Sequence, residues 1–216
     1  MVRAADGRDR MEHQEWCAES AFPPIAAGRT DFCAPFCVVL FASMIGFTCV
    51  LSAAAIAAGS DKEYRVKAAF VLNFASLTEW PSESFGDSKD PIVICHVGGS
   101  QTKSLLDAAY SGRRVGRRSL ELRRLSSSEM VSGCHIVFIT QGRGEQDREF
   151  IAAVAGKSIL TIGESEGFAR SGGVIGFYNE GSKIRFEINL SAAERARLRI
   201  SSRLLKLARL VSSEGE

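Results

Sequence analysis

The chain has 216 residues, of which 45% are hydrophobic, and it carries a formal net charge of +2. This composition excludes a disordered chain, which would be poorer in apolar residues, and also a strongly polycationic nucleic-acid binder. The length suits one domain with its own hydrophobic core better than two.

The first 58 residues are predicted to be a polar leader and a secretory signal peptide. Residues 36–58 follow a polar lead and contain no charged side chain. The small-x-small pattern at 55–57 predicts signal-peptidase cleavage near Ala57 or Ala58. The alternative is an uncleaved membrane anchor, because the apolar run is long enough to span a bilayer. In both cases we expect residues 61–213 to form a domain outside the cytoplasm.

The residues after the leader alternate between helical and strand patterns. Apolar residues recur three and four positions apart from Asp61 to Trp80, and Pro81 ends this predicted helix because proline disfavours helical backbone at the preceding residue. Two more helices and three strands buried on both faces are predicted at 102–110 and 145–155, and at 92–97, 135–140 and 159–162. This alternation indicates a single α/β domain with a largely parallel sheet flanked by helices.

Six arginines lie between the first two of these strands, at positions 113, 114, 117, 118, 123 and 124. One interpretation is a patch that binds polyanions. The segment lacks the aromatic residues that stack on bases, so we favour a solvated turn and an edge strand whose charges discourage aggregation. We therefore expect no nucleic-acid partner.

The closing segment, residues 172–211, is predicted to form a β-hairpin followed by one long amphipathic helix. Apolar and polar residues alternate over 174–178 and again over 184–188, with a turn between the two runs. Ser191 and Glu194 match a capping box, in which each side chain binds a free amide at the start of a helix. We expect that helix to begin directly after Ser191 and to continue to the end of the segment.

Two cysteines remain after the leader, Cys95 and Cys134, and a histidine follows each of them. These doublets contain four potential zinc ligands. Because neighbouring side chains of a strand point to opposite faces, a cysteine and its adjacent histidine cannot easily share one metal ion. An oxidising compartment favours a disulfide, and zinc binding or two unpaired thiols are the alternatives.

Candidate catalytic residues are scarce in the predicted domain. It contains no phosphate loop and no His-Glu-x-x-His motif. His96 and His135 fall in predicted core strands. Glu164 and Glu166 could act as paired carboxylates, but alternating Glu and Ser is typical of a solvated loop. We therefore expect neither enzymatic activity nor a cofactor or metal.

Five blocks of the sequence resemble one protein family. They are YRVKAAFVLNFASLTEWP, ICHVGG, CHIVFI, ILTIGE, and GGVIGFY followed by IRFEINLSAAERARLRISSRLLKLARLV. In this order, over residues 64–211, they resemble the YfiR family of periplasmic repressor proteins.

The resemblance implies an exported, non-catalytic α/β regulator. Such a protein would bind the periplasmic sensor domain of an inner-membrane diguanylate cyclase, repress it and lower cyclic-di-GMP signalling. The resemblance also implies a disulfide between Cys95 and Cys134. Arg185, Glu187 and Arg209 match the family's motif, and we expect them to contact a partner or a ligand.

Two functions remain open from the sequence. The first is a regulator that docks on a membrane protein or on a second copy of itself. The alternative is a small-molecule sensor, with a pocket formed at the carboxyl ends of the strands by the loops 98–99 and 163–173. Open α/β sheets usually bind their ligands at that end.

Overall fold

The computed structural model describes residues 61–140, 142 and 144–213. The predicted leader and signal peptide lie outside the described residues. Within the described part of the chain, no helix combines the length and the apolar character that crossing a membrane requires.

Five helices and ten strands are described. The helices are α1 at 61–76, α2 at Ser100–Tyr110, α3 at Gly144–Ala153, α4 at Leu190–Arg195 and α5 at Ser202–Leu205. The strands are β1 at Thr78–Glu79, β2 at Ile92–Val97, β3 at Arg114–Val115, β4 at Arg118–Arg124, β5 at Ile136–Ile139, β6 at Leu160–Gly163, β7 at Ile175–Glu180, β8 at Lys183–Asn189, β9 at Arg199–Ile200 and β10 at Arg209–Val211.

The central sheet has eight strands in the order β10-β8-β7-β6-β5-β2-β4-β3. All neighbours are parallel except the β7–β8 hairpin and the β3–β4 pair, which are antiparallel. A separate two-stranded sheet joins β1 to β9. The α/β fold with a largely parallel sheet is therefore confirmed, as are the three strands that are buried on both faces.

Helices cover both faces of the central sheet. On one face, Phe74 of α1, Leu106 of α2 and Ala193 of α4 belong to the same cluster of buried side chains. On the other face, Phe150 of α3 belongs to a second cluster. The strands between these layers are continuously apolar because they have no solvent-facing side.

α1 ends earlier than the predicted end at Trp80. Residue 77 forms a turn, and the next two residues leave the helix to form β1, which pairs with β9. The amide of Ser201 also donates to the carbonyl oxygen of Leu77 at 2.8 Å. A partner that is distant in sequence supplies these hydrogen bonds, so local periodicity could not show that the helix stops here.

The predicted capping residue of the closing segment is wrong. Asn189 caps α4, because its side-chain oxygen accepts from the amide of Ala192 at 2.9 Å. The Asn189 amide nitrogen also donates to the carbonyl oxygen of Ala169 at 2.8 Å. Ser191 instead lies inside the first turn of the helix.

The predicted long helix is also wrong, because α4 ends at Arg195. The amide of Leu198 donates to the carbonyl oxygen of Ala193 at 2.9 Å, and that of Arg197 donates to Glu194 at 2.8 Å. These two bonds, with Arg197 at a φ of 57°, form a Schellman motif that closes a helix. The chain then continues through β9 and α5 into β10, which returns beside β8.

Candidate functional site

The return of β10 brings two of the three predicted contact residues together. The Cα of Arg209 is the register partner of the Cα of Glu187 on β8. The guanidinium carbon of Arg209 lies 4.0 Å from the centre of the Tyr178 ring on β7. Arg185 lies nearer the hairpin turn and is half exposed, and its Nε donates to Glu180 Oε2 at 3.2 Å. Glu187 and Arg209 are therefore neighbours, whereas Arg185 is paired elsewhere.

Glu187 is buried but has no polar partner. Its exposed fraction is 6%, and the described residues offer its carboxylate neither a hydrogen bond nor an ion pair. Space for the side chain exists because residue 176 on β7 is glycine. A Cβ at Gly176 would lie 3.4 Å from Glu187 Cγ and 3.3 Å from the amide nitrogen of Ala169. Its carboxylate oxygens reach the solvent of a cleft rather than the core, so they can pair with a group from outside the chain.

A cleft of about 490 Å³ adjoins this carboxylate. It lies where β6 ends, beside the neighbouring strands β7, β8 and β10. Its walls carry side chains of both charges: Glu164, Glu166 and Glu187, and Arg170 and Arg209. Phe177, Tyr178 and Asn179 complete one side. The loop predicted at 163–173 therefore contributes to a cleft, whereas the 98–99 loop does not line it.

Glu164 is not the solvated loop residue that the sequence suggested. Its Oε2 lies 3.3 Å from Lys67 Nζ and accepts from the Tyr64 hydroxyl at 3.3 Å. Burial raises the pKa of Glu164, and the Lys67 ammonium opposes that increase. Burial, followed by the nearby Glu164 charge, raises the pKa of Tyr64 to about 12. This group links α1 to the end of β6, and its Glu164 lines the cleft.

One sequence signal could have revealed this buried group. Lys67 lies between Tyr64 and Ala68 on the apolar stripe of α1. A charged residue is not expected on the buried face of a helix. Its side chain is only 7% exposed and also lies 2.5 Å from Glu63 Oε1. A lysine in an apolar stripe predicts a buried carboxylate partner, although the pattern cannot say which one.

Cys95 and Cys134 form a disulfide, with their Cα atoms 5.8 Å apart. The zinc and free-thiol alternatives are therefore wrong. His96 Nε2 lies 2.8 Å from Thr140 Oγ1 in the core, away from any shared ligand set. In the residues for which the structure gives positions, no cluster of three His, Cys, Asp or Glu side chains could hold a metal ion.

Both ring nitrogens of His135 have hydrogen-bond partners in the backbone. Its Nδ1 accepts from the amide of Val93 at 3.1 Å, so the proton is on Nε2, which lies 3.0 Å from the carbonyl oxygen of Ser84. The ring also stacks on Phe85 at 4.3 Å between centres. Burial lowers the pKa of His135. This histidine is therefore a neutral structural residue.

Several solved structures resemble this chain in part. A conserved domain protein from Vibrio cholerae O1 biovar eltor str. N16961 has 11% identity and a TM-score of 0.46, with 55% of this chain and 54% of that chain covered. The ABC domain in complex with L-Trp from Streptococcus pneumonia has 10% identity and a TM-score of 0.43, with 55% and 56% covered. The chain thus spans about half of each of these structures, and neither carries an argument about function.

A search of curated proteins finds no match. A protein-family model described as YfiR/HmsC-like matches residues 64–209, which include the disulfide, the buried Lys67–Glu164 pair and the cleft. The chain therefore belongs to the YfiR/HmsC-like family.

Proposed function

We propose that the protein is an exported, non-enzymatic regulator that docks on the periplasmic sensor domain of an inner-membrane signalling protein. We further propose that the partner is a diguanylate cyclase, which the docked protein represses, so that cyclic-di-GMP falls. Membership of a regulatory family supports the general role. The choice of a diguanylate cyclase as the partner rests on the resemblance to the YfiR family.

The observation that carries the proposal is the docking surface formed by Tyr178, Glu187 and Arg209. It combines a carboxylate that has no partner among the described residues with an exposed guanidinium stacked on a tyrosine ring. Arginine and tyrosine are enriched among the residues that dominate binding energy at protein interfaces. A partner that brings a cation to Glu187 and an anion to Arg209 would satisfy both charges.

Exposed apolar side chains continue this surface along the edge of the sheet. β10 is the outermost strand, and Leu207 and Leu210 are 70% and 53% exposed. Large apolar side chains near a charged cleft are typical of protein-binding surfaces. The edge strand also offers backbone groups to a partner.

The proposal is tested in a strain that lacks the chromosomal copy. The wild-type chain should restore low cyclic-di-GMP and should co-precipitate with the cyclase. Glu187→Gln and Arg209→Gln should each lose most of both effects at unchanged protein level, because each removes one charge of the docking surface. The matched control is Arg199→Gln, which removes an equally exposed arginine from β9 and should behave as wild type.

Two outcomes would contradict the proposal. If the strain that lacks the chromosomal copy has an unchanged cyclic-di-GMP concentration, the protein does not repress a diguanylate cyclase. Retained co-precipitation in both docking-surface variants would show that the partner binds elsewhere on the domain.

A small-molecule sensor is the second candidate, and the cleft of about 490 Å³ favours it. Its volume and mixed charges suit a small polar ligand. Thermal-shift screening of periplasmic metabolites should then find a compound that stabilises the wild type but not Arg209→Gln. If no compound stabilises the chain, only the docking function remains.

A further inference from the structure

A second cleft lies at the opposite edge of the central sheet from the docking surface. It has a volume of about 300 Å³ and is found where β2 and β4 begin, beside the β3–β4 turn. Its walls include Trp80, Ile92 and Val115, and Arg117 and Arg118 carry its positive charge. The proposed regulatory function makes no use of this cleft.

Arg118 is held in place by the protein itself. Its guanidinium carbon lies 3.6 Å from the centre of the Phe85 ring, whose other stacking partner is His135. Its Nη1 donates to the carbonyl oxygens of Asp87 and Asp90, both at 2.8 Å. The guanidinium is therefore oriented before any ligand arrives, which reduces the entropy lost on binding.

One edge of this guanidinium remains available. Nε and Nη2 of Arg118 have no hydrogen-bond partner among the residues that the structure describes. These two donors lie side by side and match the two oxygens of a carboxylate. Among the described residues no ion pair joins Arg118 to Asp87 or Asp90, whose carboxylates accept instead from the amide of Asp87 at 2.7 Å and the Ser88 hydroxyl at 3.1 Å.

Part of the remaining wall of the cleft is apolar. The indole Nε1 of Trp80 donates to the carbonyl oxygen of His135 at 3.3 Å, which fixes the ring. Ile92 and Val115 complete the apolar lining. Thr78 adds a buried hydroxyl that has no hydrogen-bond partner within the described residues. The cleft thus offers an apolar wall and an oriented cation.

We propose that this cleft binds a small carboxylate whose apolar body is about the size of one aromatic ring. The carboxylate oxygens accept from Nε and Nη2 of Arg118, and Arg117 adds positive charge at the mouth. The apolar body packs on Trp80 and Val115. A volume of about 300 Å³ is at the lower end for ligand pockets, which favours a small ligand.

Tryptophan fluorescence tests the proposal at the site itself. The sequence contains two tryptophans, Trp16 and Trp80, so a Trp16→Phe chain reports only on the cleft, whether or not the leader is removed. The chain is titrated with benzoate and, in parallel, with benzamide, its uncharged analogue of nearly the same shape. Benzoate should change the Trp80 emission saturably, and benzamide should need about a tenfold higher concentration or more, because it cannot make a charge-assisted pair.

Variants locate the binding. Arg118→Lys keeps the charge but loses the paired donors, so benzoate affinity should fall about tenfold or more. The matched control Arg113→Ala removes an arginine of the same segment that does not line the cleft, and affinity should stay within about twofold.

An unsaturable response to benzoate, or equal binding of benzoate and benzamide, would overturn the proposal. So would a folded Arg118→Lys chain with wild-type affinity. If Arg118→Lys fails to fold, the comparison of the two compounds on the Trp16→Phe chain decides alone.

Discussion

The ring of His96 lies in the middle of β2 and is fully enclosed by the core. Its Nε2 lies 2.8 Å from Thr140 Oγ1, and its Nδ1 has no partner among the described residues. Burial lowers the pKa of His96 from 6.5 to about 4, and the charges of Arg124 and Lys103 add to this effect. The folded chain therefore holds this histidine neutral.

This lowered pKa predicts a loss of stability in acid. The unfolded chain takes up a proton near pH 6.5, whereas the folded chain does so only near pH 4. The contribution of His96 to the free energy of unfolding is therefore fully present above pH 6.5. It is lost as the pH falls from 6.5 to 4, and the loss is about 3 kcal/mol. Urea unfolding at a series of pH values measures it. In the His96→Gln variant, the free energy of unfolding should depend less steeply on pH between 6.5 and 4. If the dependence is unchanged, groups other than His96 cause the acid destabilisation.

At the scale of elements, the closing segment shows how capping decides helix length. The side-chain nitrogen of Asn189 donates to Ala169 and Ser213, and its oxygen accepts from the start of α4. This one side chain therefore joins β8, α4, the loop after β6 and the end of β10. The Schellman motif around Arg197 then limits α4 to six residues.

Removing the Asn189 side chain should destabilise the domain strongly. Asn189→Ala leaves a helix start uncapped and removes one of the two donors to the buried carbonyl oxygen of Ala169, so the free energy of unfolding should fall by about 1 to 3 kcal/mol. Ser191→Ala, at the position that the sequence favoured as the cap, should change it by less than about 0.5 kcal/mol. Guanidinium unfolding of both variants measures the difference. Equal effects would contradict the assigned cap.

At the scale of the whole molecule, the disulfide fastens two neighbouring strands of the sheet. Cys95 lies within β2, and Cys134 precedes β5, 39 residues later in the chain. Both cysteines are buried, with exposed fractions of 0% and 5%. The bond restricts the unfolded chain across a long loop and is enclosed in the folded one.

The loop length predicts the contribution of the bond. Closing a loop with a separation of 39 residues is worth about 4 kcal/mol in the chain-entropy model. The Cys95→Ala, Cys134→Ala double variant should lose about that much free energy of unfolding in denaturant titrations. The reduced wild type should unfold at the same denaturant concentration as the variant. If both match the oxidised wild type, the bond does not stabilise the domain.

The sequence by itself determined the fold class, the buried strands β2, β5 and β6, and the β7–β8 hairpin. Each follows from a pattern among near neighbours: continuous apolar runs, or alternation with a period of two. Family resemblance indicated Glu187 and Arg209 as contact residues. It could not indicate their geometry, because the helical pattern of residues 192–211 predicted that Arg209 lies on a helix.

Only the tertiary structure decided which distant segments meet. Lys67 and Glu164, Thr78 and Ile200, and Glu187 and Arg209 are paired through contacts that no local pattern encodes. Local periodicity reports which face of an element is buried, but not the element that covers it. The strands β1, β9 and β10 are short and are hydrogen-bonded to strands that are distant in sequence. These hydrogen bonds outweigh the local helical propensity, so the residues form strands instead of a helix. The docking surface exists because β10 returns beside β8.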